Sequence, residues 1–322
     1  MFQMNKELMQ KMRQKTKTVY INITNQCNAS CRHCINKNSK TILGEAPRNQ
    51  VLEWIQLISK TSYRNVNFVG GEPFLNLSLL KEYIQACISA RLTPGVTTNG
   101  FWAKTKEDAL HILSELSGIK KILVSTDRYH LEYIPKESIK NLILACKELG
   151  IFVAINIVSC TVKEGQETKE LFETLGDNIY ININPMMPAG AAYSLRDQIE
   201  THDYISNIDE LPEYCGVNDH FINCKGDIYA CCMSTLAVTT NYLRFGNLST
   251  DPLSTILESR KNNKIYQLLN EKGPKGLIQV LLNCASYEEI KVHSYTSECD
   301  LCVEVCNNSK LHSEIIKILE ER

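Results

Sequence analysis

The chain has 322 residues, of which 43% are hydrophobic, and its net charge of -1 results from 35 basic and 36 acidic residues. This length fits one large domain or a large domain with a smaller one, and the balanced charge argues against nucleic acid as the main partner. Neither a membrane-spanning apolar run nor the apolar core of a signal peptide is present. We therefore expect a cytoplasmic protein without a membrane partner.

A basic extension occupies residues 1–16, and a regular alternation of strand and helix patterns follows over residues 17–199. Short β-branched runs predict strands at 19–24, 66–69, 95–98, 121–126, 152–158 and 179–184. Apolar residues at helical spacing predict helices at 50–59, 77–90, 106–116, 137–149 and 166–175. Alternating strands and helices form parallel sheets with right-handed crossovers. Six such units predict an α/β fold with a partial (β/α)6 barrel, rather than the eight units of a closed barrel.

The alternation ends near residue 200, and residues 200–322 predict a smaller domain with eight of the fourteen cysteines. Two strand-like runs, 220–223 and 227–232, flank the sequence CKGD and predict a hairpin. Helices are predicted at 252–270, 276–284 and 307–321, with a break at Gly273-Pro274. Because clustered cysteines in a reducing compartment indicate metal binding or catalysis, we expect this cysteine-rich C-terminal domain to be built around metal.

Three cysteines lie within the eight residues CNASCRHC, at Cys27, Cys31 and Cys34. A structural zinc site needs four ligands, and disulfides need an even number of thiols in an oxidising compartment. Three clustered thiolates favour a [4Fe–4S] cluster that leaves one iron open to another ligand. Zinc bound by the three thiolates and His33 is the alternative.

Polar segments follow each of the predicted strands that come after the cysteine motif. They are GGEP at 70–73, TTNG at 97–100, STD at 125–127, Asn156 within the fifth strand and NPMMPAG at 184–190. Ligands of parallel α/β folds gather at the carboxyl ends of the strands. The sequence therefore predicts a binding site at this edge of the sheet, although each motif alone is also typical of an ordinary turn or strand exit.

CNASCRHC, GGEP and TTNG, in this order, resemble the radical S-adenosylmethionine (SAM) superfamily over about residues 17–190. The resemblance implies a [4Fe–4S] cluster bound by Cys27, Cys31, Cys34 and SAM, which fills the open position. It also implies that one electron, from a donor such as flavodoxin or ferredoxin, splits SAM into methionine and a 5′-deoxyadenosyl radical.

The same resemblance implies which other residues contact SAM. They are His33 over the adenine, Gly70, Gly71 and Glu72 at the methionyl group, Thr98 and Asn99 at the carboxylate or ribose, Ser125 and Asp127 at the ribose hydroxyls, and Asn156 and Met187 on the adenine side. His33 stands where the family usually has an aromatic residue. A satisfied polar core residue remains the alternative for Asn156.

Cysteines of the C-terminal region, spaced around Gly226, resemble the opening of a SPASM or twitch domain. The resemblance implies one auxiliary [4Fe–4S] cluster, and the same residues could instead form a four-cysteine zinc site. The proposed ligands are Cys215, Cys231, Cys299 and Cys302, with Cys306 as a spare. Core positions are expected for Cys87, Cys146 and Cys284, and no role is assigned to Cys160 and Cys224.

The stretch YCGVNDHFINCKGDIYACC resembles the corresponding part of radical SAM peptide epimerases. It implies that Cys232 returns a hydrogen atom to the substrate, and that Asp219 tunes this thiol or holds the peptide. As the strand neighbour of Cys231, Cys232 is expected to point away from the cluster. A small buried residue is the alternative for Cys232.

The function that this resemblance implies is L-to-D epimerisation within a ribosomally made precursor peptide. Formation of thioether or carbon–carbon cross-links is the enzymatic alternative, and a non-catalytic iron–sulfur sensor or scaffold is the alternative of another class. The basic side chains near the N-terminus are either a solvated helix face or a contact for an acidic leader peptide. They are Lys6, Lys11, Arg13, Lys15 and Lys17.

Overall fold

The computed structural model describes residues 17–37, 44–175, 179–213, 215, 218–231, 242–289 and 294–321. Residues 1–16 and Cys232 therefore lie outside the described residues. The chain divides into two compact units. The barrel unit spans Tyr20–Glu200, and the C-terminal unit combines Met1–Val19 with Thr201–Arg322.

Six strands form the sheet that carries the barrel unit, in the order β6-β5-β4-β3-β2-β1. Their bounds are β1 Thr18–Thr24, β2 Asn65–Gly70, β3 Thr93–Thr98, β4 Lys121–Ser125, β5 Phe152–Ser159 and β6 Tyr180–Pro185. The pairs from β2 to β6 are parallel. Central β-branched side chains such as Ile122, Val124 and Ile155 are fully buried, as expected for strands covered on both faces. All six predicted strands and the partial (β/α)6 arrangement are confirmed.

Helices connect these strands and bury one apolar face each. They are α1 Arg48–Ser59, α2 Leu77–Ser89, α3 Lys106–Glu115, α4 Lys136–Glu148 and α5 Val162–Glu170. The helix predicted at 166–175 was placed too late, since α5 begins directly after Thr161. The Thr161 hydroxyl accepts a hydrogen bond from the backbone N–H of Glu164 at 3.1 Å, which caps the first turn.

A three-stranded antiparallel ladder opens the C-terminal unit, with β7 His220–Ile222, β8 Asp227–Ala230 and β9 Arg244–Asn247. The predicted hairpin at CKGD is confirmed. The side-chain oxygen of Asn223 accepts hydrogen bonds from the N–H groups of Lys225 and Asp227, at 2.9 and 3.0 Å. Gly226 takes a φ of +89°, which suits a residue without a Cβ atom.

The C-terminal unit continues with helices α6 Leu253–Asn262, α7 Lys264–Leu281, α8 Glu298–Asn307 and α9 Ser309–Glu320. The predicted break at Gly273-Pro274 is a kink within α7, where Gly273 has a φ of +60°. Helix α8 was not predicted, because its periodic positions are cysteines that were interpreted as ligands rather than as an apolar face. No helix among the described residues is both long enough and apolar enough to span a bilayer.

Candidate functional site

The loop that follows β1 carries the three clustered cysteines. Cys31 is buried, Cys34 is half-buried and Cys27 is exposed. The backbone N–H of Cys34 donates to the Cys31 carbonyl at 3.2 Å, and the Cys34 carbonyl accepts from the N–H of Ala191 at 3.0 Å. The loop is therefore held by its own turn and by the segment after β6, and it presents three thiols from one fixed backbone.

The surroundings of these thiols disfavour a bare thiolate. Burial raises the pKa of Cys27, and it raises the pKa of Cys31 to about 12, where the Asp127 carboxylate acts in the same direction. The charge of Cys34 raises the pKa of both thiols further. A bound cation would reverse this balance, because metal ligation requires and stabilises thiolates.

Two glycines at the end of β2, Gly70 and Gly71, allow the cysteine loop to approach closely. A Cβ atom on Gly70 would lie 2.2 Å from the Thr24 carbonyl oxygen, and one on Gly71 would lie 2.1 Å from the Gln26 carbonyl oxygen. The N–H of Gly71 donates to Thr24 at 2.7 Å, and the N–H of Glu72 donates to Gln26 at 2.8 Å. The glycines are thus needed to support the cysteine loop, a reason that the sequence did not reveal.

The Glu72 side chain is fully buried and accepts three hydrogen bonds from the protein. Its Oε1 accepts from the Phe74 N–H at 3.0 Å and the Thr98 hydroxyl at 2.9 Å, and its Oε2 accepts from the Asn99 N–H at 2.7 Å. Burial raises its pKa to about 7, although these hydrogen bonds oppose the shift. Glu72 and Thr98 therefore join the ends of β2 and β3, and their contact with SAM stays a prediction.

Asn99 reaches the cysteine loop directly. Its side-chain amide donates to the Asn28 side chain at 2.9 Å and to the Cys27 sulfur at 3.9 Å. An amide donor beside a cluster ligand is the kind of outer contact that orients the ligand and tunes the metal centre.

Asp127, after β4, accepts hydrogen bonds from two histidine rings. Its Oδ2 lies 2.8 Å from His130 Nδ1 and 3.1 Å from His33 Nε2, and its Oδ1 accepts from the N–H groups of Tyr129 and His130. Burial acts to raise the pKa of Asp127, but His130 and His33 outweigh it and hold this pKa well below its usual range. His33 stacks on the Tyr129 ring, with centroids 4.8 Å apart. The sequence missed His130 and Tyr129, and the spacing of the motif STDRYH was the available signal.

A row of polar side chains crosses three neighbouring strands. Ser125 pairs in register with Asn156, which pairs in register with Asn182. Registered partners point to the same face of a sheet, so these three half-buried side chains lie side by side. Asn182 was missed, although the alternation in IYININ could have revealed it. Met187, predicted on the adenine side, is buried just after β6.

Gly190 fixes the last of these strand-end segments. It has a φ of +60°, and a Cβ atom there would lie 2.3 Å from the Ile35 carbonyl oxygen. The segment after β6 therefore packs against the cysteine loop. Taken together, three thiols on one loop and three glycine-dependent contacts with its backbone fit a cluster held by Cys27, Cys31 and Cys34.

The C-terminal unit contains a second group of cysteines. Cys231, Cys302 and Cys306 are buried, and Cys215 and Cys299 are half-buried. Cys299, Cys302 and Cys306 are spaced by three and four residues along α8, so they share one helix face. A hydrogen bond between the thiols of Cys302 and Cys306, together with burial, raises the pKa of Cys302 well above its ordinary value.

Two family models match these two cysteine-containing regions. The Radical SAM superfamily model matches residues 21–175, and the SPASM model, an iron–sulfur cluster-binding domain, matches residues 214–303. The chain carries a radical SAM domain and a SPASM domain. These domains imply a [4Fe–4S] cluster, SAM and an auxiliary cluster, as the sequence predicted.

Similar proteins align with this chain over most of its length. YydG of Bacillus subtilis (strain 168), whose name places it in peptide biosynthesis, is 26% identical over 302 residues, which cover 91% of this chain and 93% of YydG. The structure of native anSMEcpe with bound AdoMet and Cp18Cys peptide has a TM-score of 0.56 at 13% identity. The match covers 95% of this chain and 99% of the anSMEcpe chain. The structure of Streptococcus suis SuiB bound to precursor peptide SuiA has a TM-score of 0.57 at 13% identity. The match covers 86% of this chain and 76% of the SuiB chain. At these identities, the two structures show the fold.

One inference about the SPASM domain needs correction. The strand predicted at 227–232 ends at Ala230, and Cys231 has a φ of +81°, outside the extended conformation. Strand alternation therefore cannot place Cys232 opposite Cys231. Asp219, predicted near that thiol, accepts a hydrogen bond from the N–H of Thr18 at 2.8 Å and so anchors the start of β1.

The remaining cysteines are buried. Core positions for Cys87, Cys146 and Cys284 are confirmed. Cys160, which had no predicted role, lies with its sulfur 3.1 Å from the Tyr129 hydroxyl. It therefore belongs to the packing that supports Tyr129 and the His33 ring in the radical SAM domain.

Cys160 also lines an open cleft of about 750 Å³ within the radical SAM domain. The cleft is bordered by Arg128 after β4, by Thr161 and Glu164 at the start of α5, and by Gln198. Glu164 Oε1 is buried there without a hydrogen-bond partner, while its other oxygen lies 3.8 Å from the Arg128 guanidinium. The cleft could accept a small group that donates a hydrogen bond.

Proposed function

We propose that this protein converts L-residues to D-residues in a ribosomally made precursor peptide. The observation that supports a peptide substrate best is the alignment with YydG, which includes both the radical SAM and the SPASM domains. The peptides bound to anSMEcpe and SuiB agree with it. Epimerisation is inferred from the stretch that contains Cys231 and Cys232, which resembles peptide epimerases.

We assign Cys27, Cys31 and Cys34 to the cluster that binds SAM, because one loop, fixed by backbone hydrogen bonds, carries all three thiols. When bound, this pair of cofactors supplies a 5′-deoxyadenosyl radical that abstracts hydrogen from carbon. The chain itself orients the pair. Gly70 and Gly71 let β2 pack closely against the Thr24 and Gln26 carbonyl groups, and this packing fixes the start of the cysteine loop.

Polar groups at the strand ends are assigned to the nucleoside and methionyl parts of SAM. The row of Ser125, Asn156 and Asn182 offers hydroxyl and amide groups on one face of the sheet. Asn99 places an amide beside the Cys27 sulfur. Glu72 and Asp127 remain proposed contacts of SAM, and the hydrogen bonds that their oxygens accept from the protein fix their orientation.

Cys232 is the proposed hydrogen donor, and it lies outside the described residues. Its S–H bond breaks as a new C–H bond forms at the substrate Cα, on the face opposite to the abstraction. The resulting sulfur radical needs one electron and one proton before the next turnover, and a donor such as flavodoxin or ferredoxin supplies the electron. Asp219 contributes by fixing the segment before β7 through its bond to Thr18.

Co-expression with the precursor peptide encoded beside this protein tests the proposal. Chiral amino-acid analysis of the product should detect D-residues, and in deuterated water each inverted carbon should carry one deuterium, because a thiol exchanges with solvent. Cys232→Ala should still cleave SAM but give no D-residue, whereas Cys87→Ala, a buried cysteine of α2, should behave like the native chain.

Other outcomes would select the competing functions. A product two hydrogens lighter for each modification would indicate cross-linking, because epimerisation in ordinary water leaves the mass unchanged. Normal D-residue formation by Cys232→Ala would exclude this residue as the donor. Absence of SAM cleavage with both clusters present would favour a sensor or scaffold.

A further inference from the structure

One oxygen atom of Asp127 accepts hydrogen bonds from two histidine rings in the radical SAM domain. Oδ2 lies 3.1 Å from His33 Nε2 and 2.8 Å from His130 Nδ1. A carboxylate only accepts hydrogen bonds, so each of these nitrogens carries a proton. A metal ligand is a neutral imidazole, and in that form each ring has its lone pair on the other nitrogen. The lone pairs of the two imidazoles are therefore on the opposite nitrogens, His33 Nδ1 and His130 Nε2.

The His33 lone pair lacks a partner. His33 is 6% exposed, and its Nδ1 is buried without a hydrogen bond from any residue that the structure describes. A buried polar atom without a hydrogen-bond partner destabilises the folded state. Since this nitrogen is an electron-pair donor, the environment favours either a hydrogen-bond donor or a metal ion beside it.

A thiol completes the arrangement. Cys31, His33 and His130 each contribute one ligand atom, and the three atoms lie within 4.8 Å of one another. Zinc takes nitrogen at about 2.0–2.1 Å and sulfur at about 2.3 Å, so a closure on the order of 1 Å gives tetrahedral separations. Histidines that bind metal usually donate their other N–H to a carboxylate, as both rings do here.

We propose that Cys31, His33 and His130 bind a divalent cation of the zinc type in the iron-free chain, with Asp127 orienting both imidazoles. The fourth position remains open, as in zinc sites with three protein ligands. Because Cys31 is also assigned to the SAM-binding cluster, zinc and cluster exclude each other at this loop. This set differs from a zinc site on all three cysteines, and it does not rest on the peptide function.

Metal titration of the full-length, iron-free chain tests the site. Since the SPASM cysteines also bind metal, the result is read as a difference between variants. His130→Asn should bind one equivalent of Zn²⁺ fewer than the native chain, and His111→Asn, an exposed histidine on α3, should bind the native amount. Asp127→Asn should lower the affinity for this zinc ion about 10–100-fold, as expected when a carboxylate that orients metal-binding histidines is lost.

Two further measurements keep the test decisive if a variant folds poorly. In the native chain, reconstitution with iron and sulfide should displace the zinc equivalent that His130→Asn lacks. X-ray absorption of this zinc equivalent, taken as the difference between the native chain and His130→Asn, should show one sulfur and two nitrogens from the protein. Zinc retained after cluster assembly, a coordination shell of three sulfurs, or unchanged stoichiometry in a folded His130→Asn chain would each overturn the proposal.

Discussion

The two cysteine sites of this protein are built in opposite ways. In the radical SAM domain, the three assigned ligands come from eight consecutive residues, and neighbouring backbone holds their loop in place. In the SPASM domain, the assigned ligands come from the segment before β7, the end of β8 and helix α8. A local motif can be recognised from spacing, whereas a dispersed site depends on the tertiary fold that brings its members together.

The difference extends to how each site uses its cysteines. The loop after β1 has no thiol beyond the three assigned ligands. Helix α8 instead carries three cysteines on one face, and two of them, Cys302 and Cys306, share a hydrogen bond. We therefore expect the first site to fail when a single ligand is lost and the second to tolerate some changes.

The largest expected effect tests the first site. Replacing Cys27, Cys31 and Cys34 by Ala should abolish formation of 5′-deoxyadenosine by the anaerobically reconstituted protein. Iron should fall from about eight to about four per chain, because one of two [4Fe–4S] clusters is lost. Chromatography of the nucleoside and iron analysis check both results, with Cys146→Ala as the control. Undiminished cleavage of SAM would refute the assignment.

A smaller effect should separate the roles of the two thiols on α8. Cys302→Ala and Cys306→Ala, each alone, should retain most of the auxiliary iron, because either thiol can occupy the same coordination position. The double variant should lose about four irons and keep SAM cleavage. Iron counts and electron paramagnetic resonance of the reduced proteins check this. Complete loss of the auxiliary iron in one single variant would show that, of Cys302 and Cys306, only that cysteine is a ligand.

Gly190→Ala should impair the first site through its backbone. The new Cβ atom would clash with the Ile35 carbonyl next to Cys34, in addition to the cost of about 1–2 kcal/mol for a left-handed alanine. Gly150→Ala is the matched control, since Gly150 has a φ of +65° and open space around it. Both variants should lose stability, but only Gly190→Ala should lose iron from the first cluster. Equal iron contents would contradict this role.

The smallest effect concerns Glu72. Burial raises the pKa of its carboxyl from 4.5, the value for the unfolded chain, to about 7, so the folded chain binds more protons between these values. Stability therefore decreases as pH rises through this window, by about 3 kcal/mol for this group. Glu72→Gln removes the titrating group. The urea midpoint of this variant minus that of the native chain should therefore increase as the pH is raised from about 5 to about 7.5. A constant difference would show that Glu72 is ionised throughout.

Much of the radical SAM domain could be predicted because its signals are local. Runs such as KILVST and FVAINIV predict buried strands, and the strand-end motifs follow them directly. The partners of polar side chains could not be predicted. Sequence does not distinguish a carboxylate that faces a cofactor from one that accepts backbone N–H groups, as Glu72 and Asp127 do. The φ of Cys231 likewise depends on packing rather than on residue type.

The hydrogen bond between Thr18 and Asp219 has a consequence for the synthesis of the protein. Its two residues are separated by 201 positions, so the acceptor leaves the ribosome long after the strand that it anchors. Thr18 is buried, and its N–H needs a substitute partner until then, at a cost of about 1–3 kcal/mol if none is found. A nascent chain that ends at Glu200 thus contains every residue of the radical SAM strands but lacks the group that secures the first one.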